Sequence, residues 1–225
     1  MGNGMNKVID GLYLGNIRDS ENRDSLSHNG ITHILSVCNN AKPVLEDMTY
    51  LCINAADASS QNLCRLIVIG LQSASIRALI CVEDVFTDSL LDPPTQSRIY
   101  LSLCRSQHFK ESIRFIHECR LNGGACLVHC LAGVSRSTTM VVAYLMTVTN
   151  YGWEECLNAV KAVRSFVDPN YGFQLQLQEF QMKHVSEYRT WLQTSYRPSP
   201  FKDLEQVEAL LSLYTEQGDK TIQSG

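Results

Sequence analysis

Cys130 and Arg136 stand six positions apart in the stretch His129-Cys130-Leu131-Ala132-Gly133-Val134-Ser135-Arg136-Ser137. An apolar run precedes this stretch and a longer one follows it, so it reads as strand, small-residue loop and buried helix. That geometry turns the N–H groups of Leu131, Ala132, Gly133, Val134, Ser135 and Arg136, together with the helix N-terminus, toward one spot where a tetrahedral oxyanion would be held. The same field favours thiolate over thiol at Cys130. Arg136 brings a planar fork that binds a pair of phosphate oxygens, which a lysine cannot do. Gly133 permits the tight turn, and Ser137 can donate a hydrogen bond to the sulfur and ease its departure.

A thiolate beside a phosphate cradle implies attack on phosphorus and a phosphocysteine intermediate. An acid must then protonate the leaving oxygen, and the same group later acts as base toward water. Asp57, just past a strand end, is the candidate by position, although aspartates also populate turns for purely structural reasons. Charge stabilisation falls to Arg136 and the loop amides, so the reaction calls for no metal and no other cofactor. Two rival chemistries use the same residues. His117, Cys119, Cys126, His129 and Cys130 have zinc-ligating atoms but lack paired CxxC spacing, and zinc gives no reason for GVSRS. A sulfur-transfer loop also carries a cysteine, but Gly133, Arg136 and Ser137 suit phosphate better.

The elements that must hold this loop are legible in outline. KVIDGLYLGN reads as two short strands around Gly11, Ser20 to Asn29 as a helix stopped by Gly30, and ITHILSV and MTYLCIN as strands. Phe109, Ile113 and Ile116 recur at helical spacing up to Gly123 and Gly124. ACLVHC is a buried strand, and SRSTTMVVAYLMTVT a helix buried on nearly all sides. Trp153, Leu157, Val160 and Val163 mark another helix. After Pro169, the stripe Phe173, Leu177, Phe180, Tyr188 and Trp191 predicts one last long helix. Beyond Ser199 a polar tail holds at most a weak helix near Leu204 to Tyr214. The expected architecture is α/β, a central, mostly parallel sheet flanked by helices.

Composition bounds the rest. The chain has 225 residues and a net charge of −4, so no basic excess supports an electrostatic nucleic-acid binder. Its nine cysteines are irregularly spaced behind a polar N-terminus, which reads as free thiols in a reducing compartment. No stretch is long and apolar enough to span a membrane.

HCLAGVSRS fits HCxxGxxRS at every fixed position, and GLYLGN, ITHILSV, AAD at Ala55–Asp57 and NxGF at Asn170–Phe173 follow the same family order. The chain resembles the cysteine-dependent dual-specificity protein phosphatases, and among them the small atypical members. That resemblance implies Cys130 as nucleophile, Arg136 as phosphate ligand and Asp57 as acid and base, with His129 and Ser137 tuning the thiolate and Asn170 bracing the loop. It implies substrates carrying phosphotyrosine and phosphoserine or phosphothreonine, within MAP-kinase and JNK signalling. It also implies a phosphatase domain over residues 1–63 and 106–197, an irregular insertion at 64–105 and a polar tail at 198–225. The insertion begins six residues after Asp57. A phosphosite-binding scaffold with impaired catalysis is therefore the alternative. MGNGMNK matches an N-myristoylation signal at Gly2 except that Asn6 replaces the usual Ser or Thr. One acyl chain gives only transient membrane contact, so the expectation is a monomer in cytoplasm and nucleus with weak membrane association.

Overall fold

The computed structural model describes residues 4–63 and 107–223, so Gly2 and the expected insertion at 64–105 lie outside the described residues. Strands β1 (Asn6–Ile9) and β2 (Leu12–Asn16) pair antiparallel about Gly11, whose φ of +71° is a conformation glycine adopts without steric cost. Next come α1 (Ile17–Glu21), α2 (Arg23–His28), β3 (Ile31–Cys38) and β4 (Thr49–Asn54). They are followed by α3 (Gln107–Leu121), β5 (Ala125–Cys130), α4 (Arg136–Val148), α5 (Trp153–Val163), α6 (Tyr171–Lys183), α7 (Val185–Ser195) and α8 (Asp203–Gln223). The sheet order is β1-β2-β5-β3-β4, and every pairing except β1 with β2 is parallel.

The strand carrying Cys130 is thus central, and all six of its residues are buried. Its side chains alternate between two cores. Cys126 and Val128 face the larger one under α3 to α7, and Ala125 and Leu127 face a smaller one beside Leu26 of α2. Helix α4 runs through the larger core, and every residue in it except Val148 is buried. A strand and a helix immobilised on all sides fix both ends of the loop between them.

Three elements differ from expectation. The helix anticipated over Ser20–Asn29 is two short helices, because Asn22 accepts a hydrogen bond from the Ser25 N–H and starts a second helix where the first ends. The single long helix after Pro169 breaks at His184. Periodicity missed the break because Phe180 and Tyr188 pack edge-to-face across it, with ring centroids 5.0 Å apart. The tail is not a weak appendage: α8 spans 21 residues, buries Val207 completely and packs against α5. Its polar composition hid an anchor that is itself polar, the buried ion pair between Asp203 and Arg120.

Candidate active site

The loop between β5 and α4 wraps around the Cys130 sulfur. Cys130 is buried, and its Sγ accepts hydrogen bonds from the Gly133 N–H at 3.2 Å and the Ser137 hydroxyl at 3.2 Å. Burial alone would push this thiol up. The Ser137 hydroxyl and the N–H groups of Ser137, Val134 and Gly133 outweigh it and hold the thiol below its ordinary range. Cys38 belongs to the same buried cluster, yet burial pushes its thiol up because no such ring of amides surrounds it. Burial also raises Cys119 to about 11 and Cys156 to about 12.

Gly133 sits at φ +69°, and a Cβ there would strike the Gly15 carbonyl of β2. The loop thus crosses against the neighbouring strand at a distance only glycine allows. Ser135 is the N-cap of α4 but makes no side-chain cap, leaving the first N–H groups of the helix free for the sulfur. Its hydroxyl instead donates to Asp57 Oδ1 at 2.7 Å.

Asp57 also accepts from Asn170 Nδ2 at 2.9 Å, and its Oδ2 lies 3.7 Å from Arg136 Nε. The loop that carries it is pinned before the described residues stop. Gln61 accepts from the Ala56 N–H, Gly172 of α6 packs directly on the Ser59 carbonyl, and Leu63 is fully buried with its N–H on Gln176. The Asp57 loop is thus tied down both within itself and onto α6. Asn170 caps α6 through Phe173 N, and its own N–H reaches Ser135 Oγ. One asparagine thus links α6, the phosphate loop and the aspartate.

Arg136 is buried, and its NH1 donates to Asn39 Oδ1 at 3.1 Å and the Ala55 carbonyl at 3.0 Å. Its Nε is a buried donor with no hydrogen-bond acceptor. Among the described residues no hydrogen bond joins His129 to the sulfur. Its Nδ1 lies 3.3 Å from the Cys130 carbonyl, an acceptor only, so that nitrogen carries the proton. Burial holds the ring at about 4, hence neutral at pH 7. Leu131 is exposed at the mouth of the loop.

Of the residues weighed for the rival zinc reading, His117 is hydrogen-bonded to the Tyr144 hydroxyl at 3.1 Å. No three His, Cys, Asp or Glu side chains converge as a metal site among the described residues. No helix of the described residues is long and apolar enough to cross a membrane.

Sequence reasoning missed Arg164 and Asn39. Arg164 is nearly fully buried and donates to the Gly133 carbonyl through Nε at 2.9 Å and to the Ala132 carbonyl through NH2 at 3.4 Å. An arginine ending the apolar-striped helix α5 was the one available signal.

A buried thiol held below its ordinary range in an amide cradle, with an arginine and a carboxylate close to one another beside it, is the arrangement of a cysteine-dependent phosphatase centre. Residues 103–183 match the family described as dual specificity phosphatase, catalytic domain. Dual specificity protein phosphatase 22-A of Danio rerio is 73% identical over 217 residues, covering 96% of this chain and 84% of that one. Dual specificity protein phosphatase 22 of Homo sapiens is 48% identical over 212 residues, covering 94% and 92%. A crystal structure of DUSP15 superposes with a TM-score of 0.65 at 41% identity, covering 87% of this chain and 99% of that one. The chain belongs to the dual-specificity protein phosphatase family and is a protein phosphatase.

Proposed function

We propose that this chain removes phosphate from phosphotyrosine and phosphoserine or phosphothreonine in proteins through a phosphocysteine formed on Cys130. The supporting observation is the sulfur itself, held below its ordinary range by the Ser137 hydroxyl and three loop amides although it is buried. The thiolate attacks phosphorus and the P–O bond to the substrate breaks. Protonated Asp57 delivers its proton to the leaving oxygen. Water then attacks the phosphocysteine, Asp57 takes the water's proton, and the S–P bond breaks to release inorganic phosphate and regenerate the thiolate. The loop N–H groups from Leu131 to Arg136 and the Arg136 guanidinium hold the phosphoryl oxygens, and Arg136 Nε, which makes no hydrogen bond among the described residues, is a donor ready for one of them. Ser137 stabilises the sulfur as leaving group, while Asn170 and Ser135 hold Asp57. The neutral His129 fixes the Cys130 peptide and adds no charge.

The scaffold alternative is not favoured, because Asp57 is held by Ser135 and Asn170, both outside the 64–105 stretch. Physiologically we place the activity on MAP-kinase pathway proteins, in the JNK branch, by the family resemblance. The MGNGMNK start supports N-myristoylation at Gly2, with transient membrane contact by an otherwise cytoplasmic and nuclear monomer. Intact mass and fractionation of wild type beside Gly2→Ala test that part; identical mass and distribution reject it. Hydrolysis of p-nitrophenyl phosphate tests the chemistry. Wild type turns over, Cys130→Ser is inert, and Asp57→Asn loses about 10²–10⁴-fold. Turnover retained by Cys130→Ser would overturn the mechanism.

A further inference from the structure

Arg164 is the C-cap of α5, and its guanidinium does two jobs at once. Its Nε and NH2 hold the carbonyls of Gly133 and Ala132. Its NH1 reaches the N-terminal segment, donating to the Gly4 carbonyl at 3.1 Å and to Asn6 Oδ1 at 2.7 Å. The Phe166 ring covers its face, with the guanidinium carbon 4.6 Å from the centroid.

The pairing of carbonyls and amides is the informative part. In a trans peptide the C=O and the following N–H point in opposite directions. Pulling the Ala132 carbonyl outward therefore aims the Gly133 N–H inward, where it meets Cys130 Sγ at 3.2 Å. Pulling the Gly133 carbonyl outward likewise aims the Val134 N–H, another donor to the sulfur. Two successive peptide planes are thus gripped at their carbonyl ends by Arg164, while their N–H ends face the thiolate. The guanidinium forms no ion pair among the described residues, and it interacts electrostatically with the Asp19 carboxylate first and with the Cys130 sulfur second.

We propose that Arg164 is a positioning residue for the phosphate loop, and that the N-terminal residues Gly4 and Asn6 set its grip, so that the chain entering β1 tunes the Cys130 nucleophile. The inference rests on Cys130 being the nucleophile.

The test uses the full chain as wild type, Asn6→Ala, Arg164→Lys and the double variant. Lysine keeps the charge but cannot span four acceptors on three sides. Three readouts are needed: alkylation of Cys130 by iodoacetamide against pH, followed at that peptide by mass spectrometry; kcat and KM for p-nitrophenyl phosphate; and a thermal melt. Arg164→Lys is expected to lower kcat about 10–100-fold, with KM changed far less, and to move the alkylation profile toward higher pH. Asn6→Ala is expected to do the same at about 3–10-fold, and the double variant to be no worse than Arg164→Lys alone. Multiplying effects, or an Asn6→Ala protein whose melt falls while its alkylation profile and kcat stay put, would overturn the proposal. Alkylation requires no turnover, so a failure of the phosphatase mechanism would show in Cys130→Ser without being mistaken for failure of the clamp.

Discussion

Two arginines, Arg120 and Arg164, are among the largest fully buried side chains of the molecule, and the fold treats them in opposite ways. Arg120 meets a carboxylate head-on: its NH2 and NH1 donate to Asp203 Oδ1 at 2.6 Å and Oδ2 at 3.1 Å. Its remaining donors go to the Asp10 carbonyl and the Tyr144 hydroxyl, and Phe201 lies over its face. Burial works to lower its pKa, but Tyr144 and Asp203 outweigh burial and the net shift is upward. Arg164 makes its hydrogen bonds to neutral acceptors, and burial moves its pKa down. A neutralised cation is an anchor, here tying α3 and α4 to α8. One that grips neutral carbonyls is a clamp, and here the Asp19 carboxylate and the Cys130 sulfur are the charges near it. Burial alone does not tell these roles apart; the identity of the acceptors does.

The sharpest way to break this contrast is Asp203→Ala, which leaves Arg120 buried and unpaired. Urea unfolding is expected to show a loss of about 3–5 kcal/mol, while kcat and KM of the folded protein stay within about twofold of wild type. A loss of activity at unchanged stability would erase the distinction. Acid titration comes next. The folded pKa of His129, about 4, lies below the ordinary 6.5, so the unfolded state binds the extra proton between those values. The stability tied to a neutral His129 is complete above about pH 6.5 and is lost as pH falls toward 4, by about 3 kcal/mol. His129→Asn, which can donate without titrating, is expected to flatten that slope; an unchanged slope counts against it. Gly133→Ala places a Cβ on the Gly15 carbonyl and 2.7 Å from Arg164 NH2, at a positive φ. About 1–3 kcal/mol of stability and most of the turnover should go with it; normal kinetics would mean the loop tolerates displacement. The smallest effect belongs to the exposed pair Arg23–Asp47, 3.0 Å apart. Asp47→Ala should cost less than about 1 kcal/mol in the same urea assay, because one exposed nitrogen shared between both oxygens replaces the buried two-nitrogen fork of Arg120 on Asp203.

What could be read from the chain alone was what lies close together along it. Cys130 through Ser137 is one continuous run, so strand, cradle, nucleophile and guanidinium were legible together. Asp57 was readable only as an acid beyond a strand, and its contact with Ser135, 78 positions on, needed the folded sheet. Arg164 was invisible because its acceptors are backbone carbonyls, which every residue has, and the Asn6 side chain 158 positions away. Asp203 escaped for a related reason: in a polar segment one more carboxylate carries no mark, and its partner Arg120 is 83 positions back. Helix breaks at Asn22 and His184 depended on caps and on rings packing across the break, neither of which alters hydrophobic period.

The contact between Arg164 and the Gly4 carbonyl has a practical bearing on how the enzyme is handled. A purification handle fused ahead of Met1 would emerge only a few residues from the groups that brace the phosphate loop, and could drag on them. The far end of α8 is not remote from the clamp either, since Gln217 donates to the Ala162 carbonyl two residues before Arg164, and preparations tagged at opposite ends should not be assumed to share one specific activity.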